Sequence, residues 1–165
     1  MAKNDTTARG TTLRMATPDD VEGITALINS SFRQAEEFFI DEDRIDSAAV
    51  RNCFTTGKFL LAESEGVVVG CVYVEPRDNA HAYLGLLAVD LTRQKSGLGS
   101  LLMDAAEDHC RGLGFRFMDI NVVNLREDLA GFYQKRSYVE TGTSPFPVDA
   151  RTKLPCHFIE MTKRL

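Results

Sequence analysis

A strand-like segment, a polar loop with two glycines and a helix-like segment follow one another in the middle of this sequence. The apolar run Leu84–Val89 leads into polar residues, and Gly97 and Gly99 stand where an amphipathic pattern begins. Such a loop leaves backbone N–H groups unpaired at a helix N-terminus, where the helix dipole adds roughly half a positive charge. Glycines also allow a ligand to approach the backbone closely. The segment therefore predicts a site for a phosphate or pyrophosphate group.

Two common nucleotide-binding motifs do not fit this segment. A P-loop requires the pattern GxxxxGK[ST], which is absent, and a dinucleotide fingerprint requires a third glycine where Leu102 stands. Two glycines before a helix are also compatible with a tight turn that binds nothing. Taken alone, the segment leaves both a phosphate site and a plain turn open.

The hydrophobic pattern predicts the elements that position this loop. Short turns separate the strand-like runs Phe59–Glu63, Val67–Glu75 and Ala82–Asp90, so these runs predict an antiparallel meander. Further strands are expected at Leu13–Ala16, Phe115–Val123, Tyr138–Thr141 and Cys156–Thr162. Helices are expected after Thr17, over Asp43–Phe54, from Leu98 to a stop at Gly112 and Gly114, and over Asp128–Lys135. This order predicts an α+β domain with a mixed central sheet.

Length and composition indicate a single globular domain. The chain has 165 residues, of which 44% are hydrophobic and 26% are charged. We expect residues 1–11 to form a disordered leader and residues 12–165 to form the domain. The polar N-terminus predicts no signal peptide, and no apolar run approaches the roughly 20 residues that a membrane span requires. We therefore expect a cytoplasmic protein that does not bind membranes.

Charge and cysteine spacing exclude further classes. The net charge of −5 argues against a nucleic-acid-binding protein, because such proteins usually present a basic face. The four cysteines form no CxxC pair, so we expect reduced thiols and no metal site.

Two segments resemble the signature motifs of the GNAT superfamily of N-acetyltransferases. The run Gln94-Lys95-Ser96-Gly97-Leu98-Gly99 matches the pattern Q/R-x-x-G-x-G/A, which opens the helix that holds the coenzyme A pyrophosphate in that family. The run Leu129–Tyr138 is similar to a later segment of the form fY-x-k-x-G-F, with Ser137 in place of the usual glycine. The resemblance spans about residues 12–164. It implies the GNAT acyltransferase fold, with about six to seven strands and about four helices around a mixed sheet.

The resemblance also implies which residues bind acetyl-CoA as co-substrate. In this fold the pantetheine arm inserts beside the strand before the signature, so backbone groups of Leu87, Ala88 and Val89 would contact it. An N–H group at Leu87 or Val89 would stabilise the oxyanion of the tetrahedral intermediate. Asn124 is a candidate contact to the pantetheine arm, because Arg126 stands where relatives often have asparagine. The pyrophosphate would be bound by Gln94, Lys95, Ser96, Gly97, Leu98, Gly99 and Ser100.

Tyr133 is the candidate general acid. Periodicity alone favours a core tyrosine beside Phe132. The resemblance, however, places Tyr133 where relatives have a tyrosine near the coenzyme sulfur, and the departing thiolate requires a proton. A tyrosine has an ordinary pKa of about 10 and is protonated at neutral pH, as an acid must be.

The general base stays open in the sequence. Some relatives have a glutamate early on the strand that Ala82 begins, whereas this chain has Tyr83. Glu37, Glu75 and His81 are candidates, and water is a further one, because a fraction of an amine is always neutral.

The acceptor side is predicted from an acidic and aromatic stretch. Glu36, Glu37 and Phe38 continue the first helical region, which lines the acceptor side in this fold. We expect Tyr83 to contact the acceptor as well. Acids interleaved with phenylalanines predict a cationic amine with an apolar body as the substrate.

These observations predict an N-acetyltransferase that moves the acetyl group of acetyl-CoA to a primary amine of a small molecule or a peptide, by direct attack in a ternary complex. The alternative is a non-catalytic acyl-CoA-binding or sensor domain of the same fold. The resemblance also implies a homodimer as a mild preference, because many relatives pair near their C-termini.

Overall fold

The computed structural model describes residues 6–7, 10–147 and 150–165. Its strands are β1 (Thr6–Thr7), β2 (Thr11–Met15), β3 (Lys58–Ser64), β4 (Val67–Pro76), β5 (His81–Val89), β6 (Phe117–Val123), β7 (Val139–Pro145) and β8 (His157–Arg164). Its helices are α1 (Val21–Glu36), α2 (Ser47–Thr56), α3 (Leu98–Gly112) and α4 (Glu127–Lys135), with 3₁₀ turns at Pro18–Asp20 and Leu91–Arg93.

The eight strands form one mixed sheet in the order β1-β2-β3-β4-β5-β6-β8-β7. The pairing of β3 with β4 and of β4 with β5 is antiparallel, which confirms the predicted meander. Strands β5 and β6 are the parallel pair, joined by α3. Seven strands of at least five residues and four helices match the predicted architecture.

Helices cover both faces of the sheet. On one face, the buried residues Val21, Ile24, Leu27 and Ile28 of α1 and Val50 of α2 pack against β3 and β4. On the other face, Leu98, Leu102, Met103 and Ala106 of α3 pack against β4 and β5, together with Tyr133 of α4. The spacing of these apolar residues fits the period of a helix with one buried face, as the sequence predicted. Ala26 of α1 is apolar but exposed.

Several boundaries differ from the prediction. Helix α2 begins at Ser47, four residues later than expected, because the Asp46 side chain accepts a hydrogen bond from the N–H of Ala49 at 2.8 Å and caps the helix there. Strand β7 extends to Pro145, well beyond the expected end at Thr141. Within the predicted leader, β1 and Thr11 are paired strand residues. The rest of the leader up to residue 9 lies outside the described residues.

Two findings concern the predicted environment of the protein. Among the described residues, no helix is both long and apolar enough to cross a membrane. Cys53, Cys71, Cys110 and Cys156 are all free thiols.

Candidate active site

Strands β5 and β6 separate soon after they meet. Their pairing runs from His81 with Phe117 to Tyr83 with Asp119, over three residue pairs. Beyond Tyr83, the edge of β5 that faces β6 continues to Val89 without a strand partner among the described residues, while β6 pairs on its other side with β8. The two diverging strands therefore leave a cleft in the middle of the sheet.

An irregularity in β5 lies at the wall of this cleft. Cys71 of β4 is opposite Ala88, whereas Tyr73 is opposite Gly85, so β5 has one extra residue over this interval. Leu86 accommodates it with a φ of 52°, in the left-handed region that leucine seldom adopts. A bulge of this kind interrupts the ladder and turns backbone groups away from it.

The cleft contains a cavity of about 220 Å³. Strand β5 and strand β6 both line it, and residues of α1, α4 and the segment before α2 close it. The lining residues are Ser31, Phe32, Ala35, Arg44, Tyr83, Leu84, Gly85, Leu86, Leu87, Gln94, Ile120, Asn121, Arg126, Asp128, Leu129 and Tyr133.

The loop of residues 94–97, the glycine loop, leads into α3. It lies at one end of the cleft, which Gln94 lines. Gly97 caps α3 with a φ of 85°, which glycine adopts without strain. Leu101 is the first residue of α3 whose N–H donates to the loop, to the Gly97 carbonyl at 3.0 Å, so the N–H groups of Leu98, Gly99 and Ser100 have no acceptor inside the helix. A β-carbon on Gly99 would meet only Val89, at 4.0 Å. Space in the fold therefore does not demand glycine at position 99, whereas a ligand close to the backbone would.

Tyr133 reaches the cavity from α4. Its ring packs edge-on against Phe132 and Tyr138, with centroids 5.2 Å and 5.7 Å away, and the residue is buried. Burial raises the pKa of its phenol above the ordinary value, and nearby Tyr83 raises it further. The group is therefore a neutral hydroxyl across the physiological pH range.

Tyr83 lines the cavity from near the start of β5. Arg77 stacks over its ring at 4.6 Å from the centroid. A β-carbon placed on Gly85 would meet the Tyr83 hydroxyl oxygen at 2.7 Å, so the ring lies along β5 and its hydroxyl group extends toward the bulge. The absence of a side chain at Gly85 makes this position of the ring possible.

An ion-pair group of buried Arg126 and Glu36 with exposed Asp128 lies between α1 and α4. Arg126 donates to both carboxylate oxygens of Asp128 at 3.0 Å and contacts Glu36 at 3.4 Å. Burial raises the pKa of the Glu36 carboxyl, while the positive charges of Arg44 and Arg126 oppose that shift. Glu36 thus balances part of the positive charge of Arg126. It does not itself line the cavity.

The structure brings together many, but not all, of the predicted residues. Leu87, Gln94, Tyr83 and Tyr133 line the cavity, and Lys95 to Ser100 form the adjoining loop and first helical turn. Ala88 is buried in the sheet, and Val89 ends β5 beside Gly99. The role of each in binding stays a prediction.

Asn124, Glu37 and Phe38 are not among the residues that line the cavity. The side-chain oxygen of Asn124 accepts from the N–H of His157 at 2.9 Å and fixes the start of β8. Glu37 and Phe38 are exposed just beyond the end of α1 and do not line the cleft. The placement of Glu37 and Phe38 therefore does not support the predicted contacts to the substrate.

Two further candidate bases, Glu75 and His81, do not line this cavity, although Glu75 is opposite Tyr83 in the pairing of β4 with β5. Glu75 accepts a hydrogen bond from the Tyr73 hydroxyl at 2.7 Å and lines a larger, mainly apolar cavity of about 520 Å³ at the C-terminal end of α3. His81 approaches Asp119 at 3.0 Å through Nδ1 and stacks on Phe117. The 15 residues of α3 span about 22 Å, so the larger cavity is far from the glycine loop.

Sequence reasoning missed several lining residues, among them Arg44 and Asn121. The side-chain oxygen of Asn121 is buried and has no hydrogen-bond partner in the described part of the chain. Asn121 alternates with buried Ile120 and Val122 along β6, so the side of the strand that it faces could be predicted. Arg44 follows no periodic pattern that would have identified it.

Comparisons with known proteins agree with this geometry. The model of the family described as "Acetyltransferase (GNAT) family" matches residues 22–138. No curated protein sequence matches the chain.

Many solved structures share the fold. Ard1 from Thermoplasma volcanium is 22% identical with a TM-score of 0.77, and the match covers 94% of this chain and 98% of that one. A GNAT family acetyltransferase from Elizabethkingia anophelis, with acetyl-CoA bound, is 17% identical with a TM-score of 0.71, at coverages of 95% and 99%. A ribosomal-protein-alanine N-acetyltransferase from Brucella melitensis is 20% identical with a TM-score of 0.72, at coverages of 93% and 99%.

Proposed function

Because this chain belongs to the acetyltransferase (GNAT) family, we propose that it transfers the acetyl group of acetyl-CoA to a primary amine by direct attack within a ternary complex. The observation that carries the proposal is one cavity bordered by three features. These are the glycine loop before α3, the unpaired edge of β5 and the buried hydroxyl-bearing ring of Tyr133. The loop suits an anionic group, the strand edge suits a chain with amide groups, and the tyrosine supplies a proton donor.

The donor would be held first by its phosphates. The free N–H groups at the start of α3 and the helix dipole favour a pyrophosphate, and Gly97 and Gly99 keep the approach open. The exposed side chains of Gln94, Lys95 and Ser96 surround the same point.

The unpaired edge of β5 suits the pantetheine arm. An extended chain with amide groups can hydrogen-bond to such an edge as a strand would. The buried oxygen of Asn121, which has no partner, could accept a hydrogen bond from an N–H of the bound molecules. Backbone N–H groups at Leu87 or Val89, next to the bulge, would stabilise negative charge on the acetyl oxygen.

The chemical step requires one proton donor from the protein. The neutral amine attacks the carbonyl carbon, and a C–N bond forms while the carbonyl electrons move to oxygen. When the tetrahedral intermediate collapses, the C–S bond breaks and the sulfur takes a proton from Tyr133. The amine releases its extra proton to water, and the phenolate of Tyr133 recovers a proton from solvent.

Calorimetric titration with acetyl-CoA tests the proposal. We expect micromolar binding by the native chain and at least a ~10-fold loss in Gly97→Glu, because the added carboxylate repels the pyrophosphate. Gly114→Glu is the matched control, because Gly114 also has a left-handed φ, of 94°, and no atom within 4 Å of an added β-carbon.

Three outcomes separate the possibilities. Loss of binding in Gly97→Glu alone supports the site. Equal binding by both variants would show that the loop does not hold the donor. A folded native chain that binds no acetyl-CoA would overturn the proposal.

A non-catalytic acyl-CoA sensor is the second candidate. It is favoured by the lining of the cavity, in which the described residues include no histidine or glutamate and the one aspartate, Asp128, is paired with Arg126. Amine-dependent release of free coenzyme A distinguishes the two, because a sensor binds acetyl-CoA without releasing it.

A further inference from the structure

Arg44 is the charged side chain of the cavity that lacks an oppositely charged partner within the described part of the chain. Of the three charged residues that line the cavity, Arg126 and Asp128 pair with each other. Arg44 is half-buried and lies over the ring of Phe32, with its guanidinium carbon 5.3 Å from the ring centroid. Stacking on an aromatic ring fixes the plane of a guanidinium and leaves its N–H groups free at the edges.

The acidic residues near Arg44 are already engaged. Asp43 forms an ion pair with Arg33, and Asp46 caps α2 through the N–H of Ala49. Glu36 contacts Arg126. Arg44 therefore forms no ion pair within the described part of the chain, although its charge also acts on the buried Glu36 carboxyl that contacts Arg126.

Arg44 lines the cavity together with Tyr83, which is near the start of β5. Its charge acts on Tyr83 and opposes the rise in the Tyr83 pKa that burial causes. Tyr83 is four residues before Leu87 on β5, which is about 10 Å along the strand because one of these residues is the extra residue of the bulge. The donor phosphates belong at the loop beyond Leu87, so Arg44 faces the space left for the acceptor.

We propose that Arg44 binds a carboxylate of the acceptor, so that the substrates are small primary amines that also carry a carboxylate, as amino acids do. This inference rests on the proposed acetyl transfer. A guanidinium binds a carboxylate through two parallel hydrogen bonds, which would fix the distance between the carboxylate and the amine. The cationic acceptor predicted from the acidic stretch has no comparable site, because Glu37 and Phe38 do not line the cavity.

A matched acceptor series tests the inference. Coenzyme A release would be measured with linear ω-amino carboxylates of two to six carbons and with the corresponding carboxamides, and kcat/KM would be expressed per neutral amine. We expect the native chain to prefer one or more carboxylates over the matching carboxamide by at least ~10-fold. Arg44→Gln should lower kcat/KM for those carboxylates ~10- to 100-fold and leave the carboxamides within about 2-fold. Arg44→Lys should retain part of the preference.

Arg51→Gln is the control variant. Arg51 lies on α2, is exposed, pairs with Glu22 and does not line the cavity. Its replacement should leave the preference for carboxylates unchanged. Acetyl-CoA affinity, measured by calorimetry, should be the same in the native chain and in the Arg44 variants.

The contrary results are distinct. Equal kcat/KM for carboxylates and carboxamides in the native chain, or an equal loss for both in Arg44→Gln, would overturn the inference while acetyl transfer stands. Weaker acetyl-CoA binding in Arg44→Gln would assign Arg44 to the donor and overturn the inference as well. No turnover with either series, despite tight acetyl-CoA binding, would count against acetyl transfer itself and against the inference with it.

Discussion

The hydroxyl group of Tyr133 combines burial with access to a cavity. Phe132 and Tyr138 hold its ring from two sides, and its pKa is raised because the charged phenolate is poorly solvated there. A phenol in this environment donates a proton only when a strong base forms next to it. A thiolate released from acetyl-CoA would form in the same poorly solvated cavity, where burial raises the pKa of a thiol as it raises that of a phenol and so makes the sulfur a stronger base.

Replacing Tyr133 with phenylalanine should separate chemistry from binding. We expect kcat to fall ~10- to 1000-fold while acetyl-CoA affinity changes little, because the ring and its packing stay in place. Steady-state kinetics and calorimetry would measure the two quantities.

Tyr138→Phe is the control for that substitution. Tyr138 is also a buried tyrosine, but its hydroxyl donates to Glu107 at 3.0 Å and it does not line the cavity. Its replacement should reduce stability and leave kcat unchanged. An unchanged kcat in Tyr133→Phe would remove Tyr133 from the mechanism.

Residue types and spacing predicted part of the candidate site. The glycine loop and Tyr133 belong to continuous motifs, so the sequence alone located them. Arg44, Ser31 and Asn121 come from three separate segments, and their proximity depends on how α1, the segment before α2 and β6 pack. Hydrophobic periodicity indicates which face of an element is buried, but it does not indicate which exposed or half-buried polar groups meet across elements.

At the scale of the elements, the end of α4 has an unusual residue at a standard position. Ser137 adopts a φ of 75°, and the N–H of Tyr138 donates to the carbonyl of Tyr133 at 3.1 Å. This is the six-residue hydrogen bond of a Schellman motif, whose left-handed position is normally glycine. Serine is therefore strained in a turn that positions both Tyr133 and Tyr138.

Ser137→Gly should stabilise the protein. The substitution relieves the left-handed strain, but glycine also has more conformational entropy in the unfolded chain. We therefore expect a net rise in the free energy of unfolding of about 0.5–1 kcal/mol. Urea denaturation would measure the change. Ser137→Ala is the control and should give no gain, because alanine keeps the β-carbon; equal stabilisation by both variants would contradict the explanation.

The elements were largely predictable because most of them have one buried face. The meander from β3 to β5 is a series of strand-like apolar runs that short turns separate. In α1 and α3, apolar residues recur with the period of a helix. The beginning of α2 was misplaced because its cap, Asp46, lies within a run of acidic residues that supplies several possible caps. The end of β7 was missed because the strand is exposed on the edge of the sheet and has no apolar alternation.

At the scale of the whole molecule, a polar cluster connects the turn before α1 to strands β2 and β3. Arg14 of β2 donates to both carboxylate oxygens of Asp20, at 2.9 Å and 2.8 Å, and to Glu63 of β3 at 2.7 Å. Asp20 also accepts from the N–H of Thr17 at 2.8 Å. The hydrogen bonds from Arg14 are the main cause that lowers the pKa of the Asp20 carboxyl, although partial burial opposes them.

This cluster predicts a specific acid sensitivity. Because the pKa of Asp20 is lower in the folded chain than in the unfolded chain, its stabilisation is complete above the ordinary value of about 3.9 and is lost as the pH falls below it. We expect Asp20→Asn to reduce the free energy of unfolding by roughly 1 kcal/mol at pH 7, with the difference shrinking below about pH 4. Urea denaturation at several pH values would measure it.

Asp19→Asn is the matched control for this prediction. Asp19 is the exposed neighbour of Asp20 and should contribute little at any pH. A difference between the native chain and Asp20→Asn that stayed constant from pH 7 to pH 3 would contradict the role of the charged carboxylate.

The position of β8 between β6 and β7 has a consequence for the synthesis of the protein. The ribosome makes β6 and then β7 before it makes β8, yet both earlier strands pair with β8. Until β8 emerges, β7 lacks its hydrogen-bonding partner, and the side of β6 away from β5 is open. Exposed strand edges pair readily with other chains. The nascent protein therefore passes through a stage at which the first half of its sheet can be complete while the second half depends on its last strand.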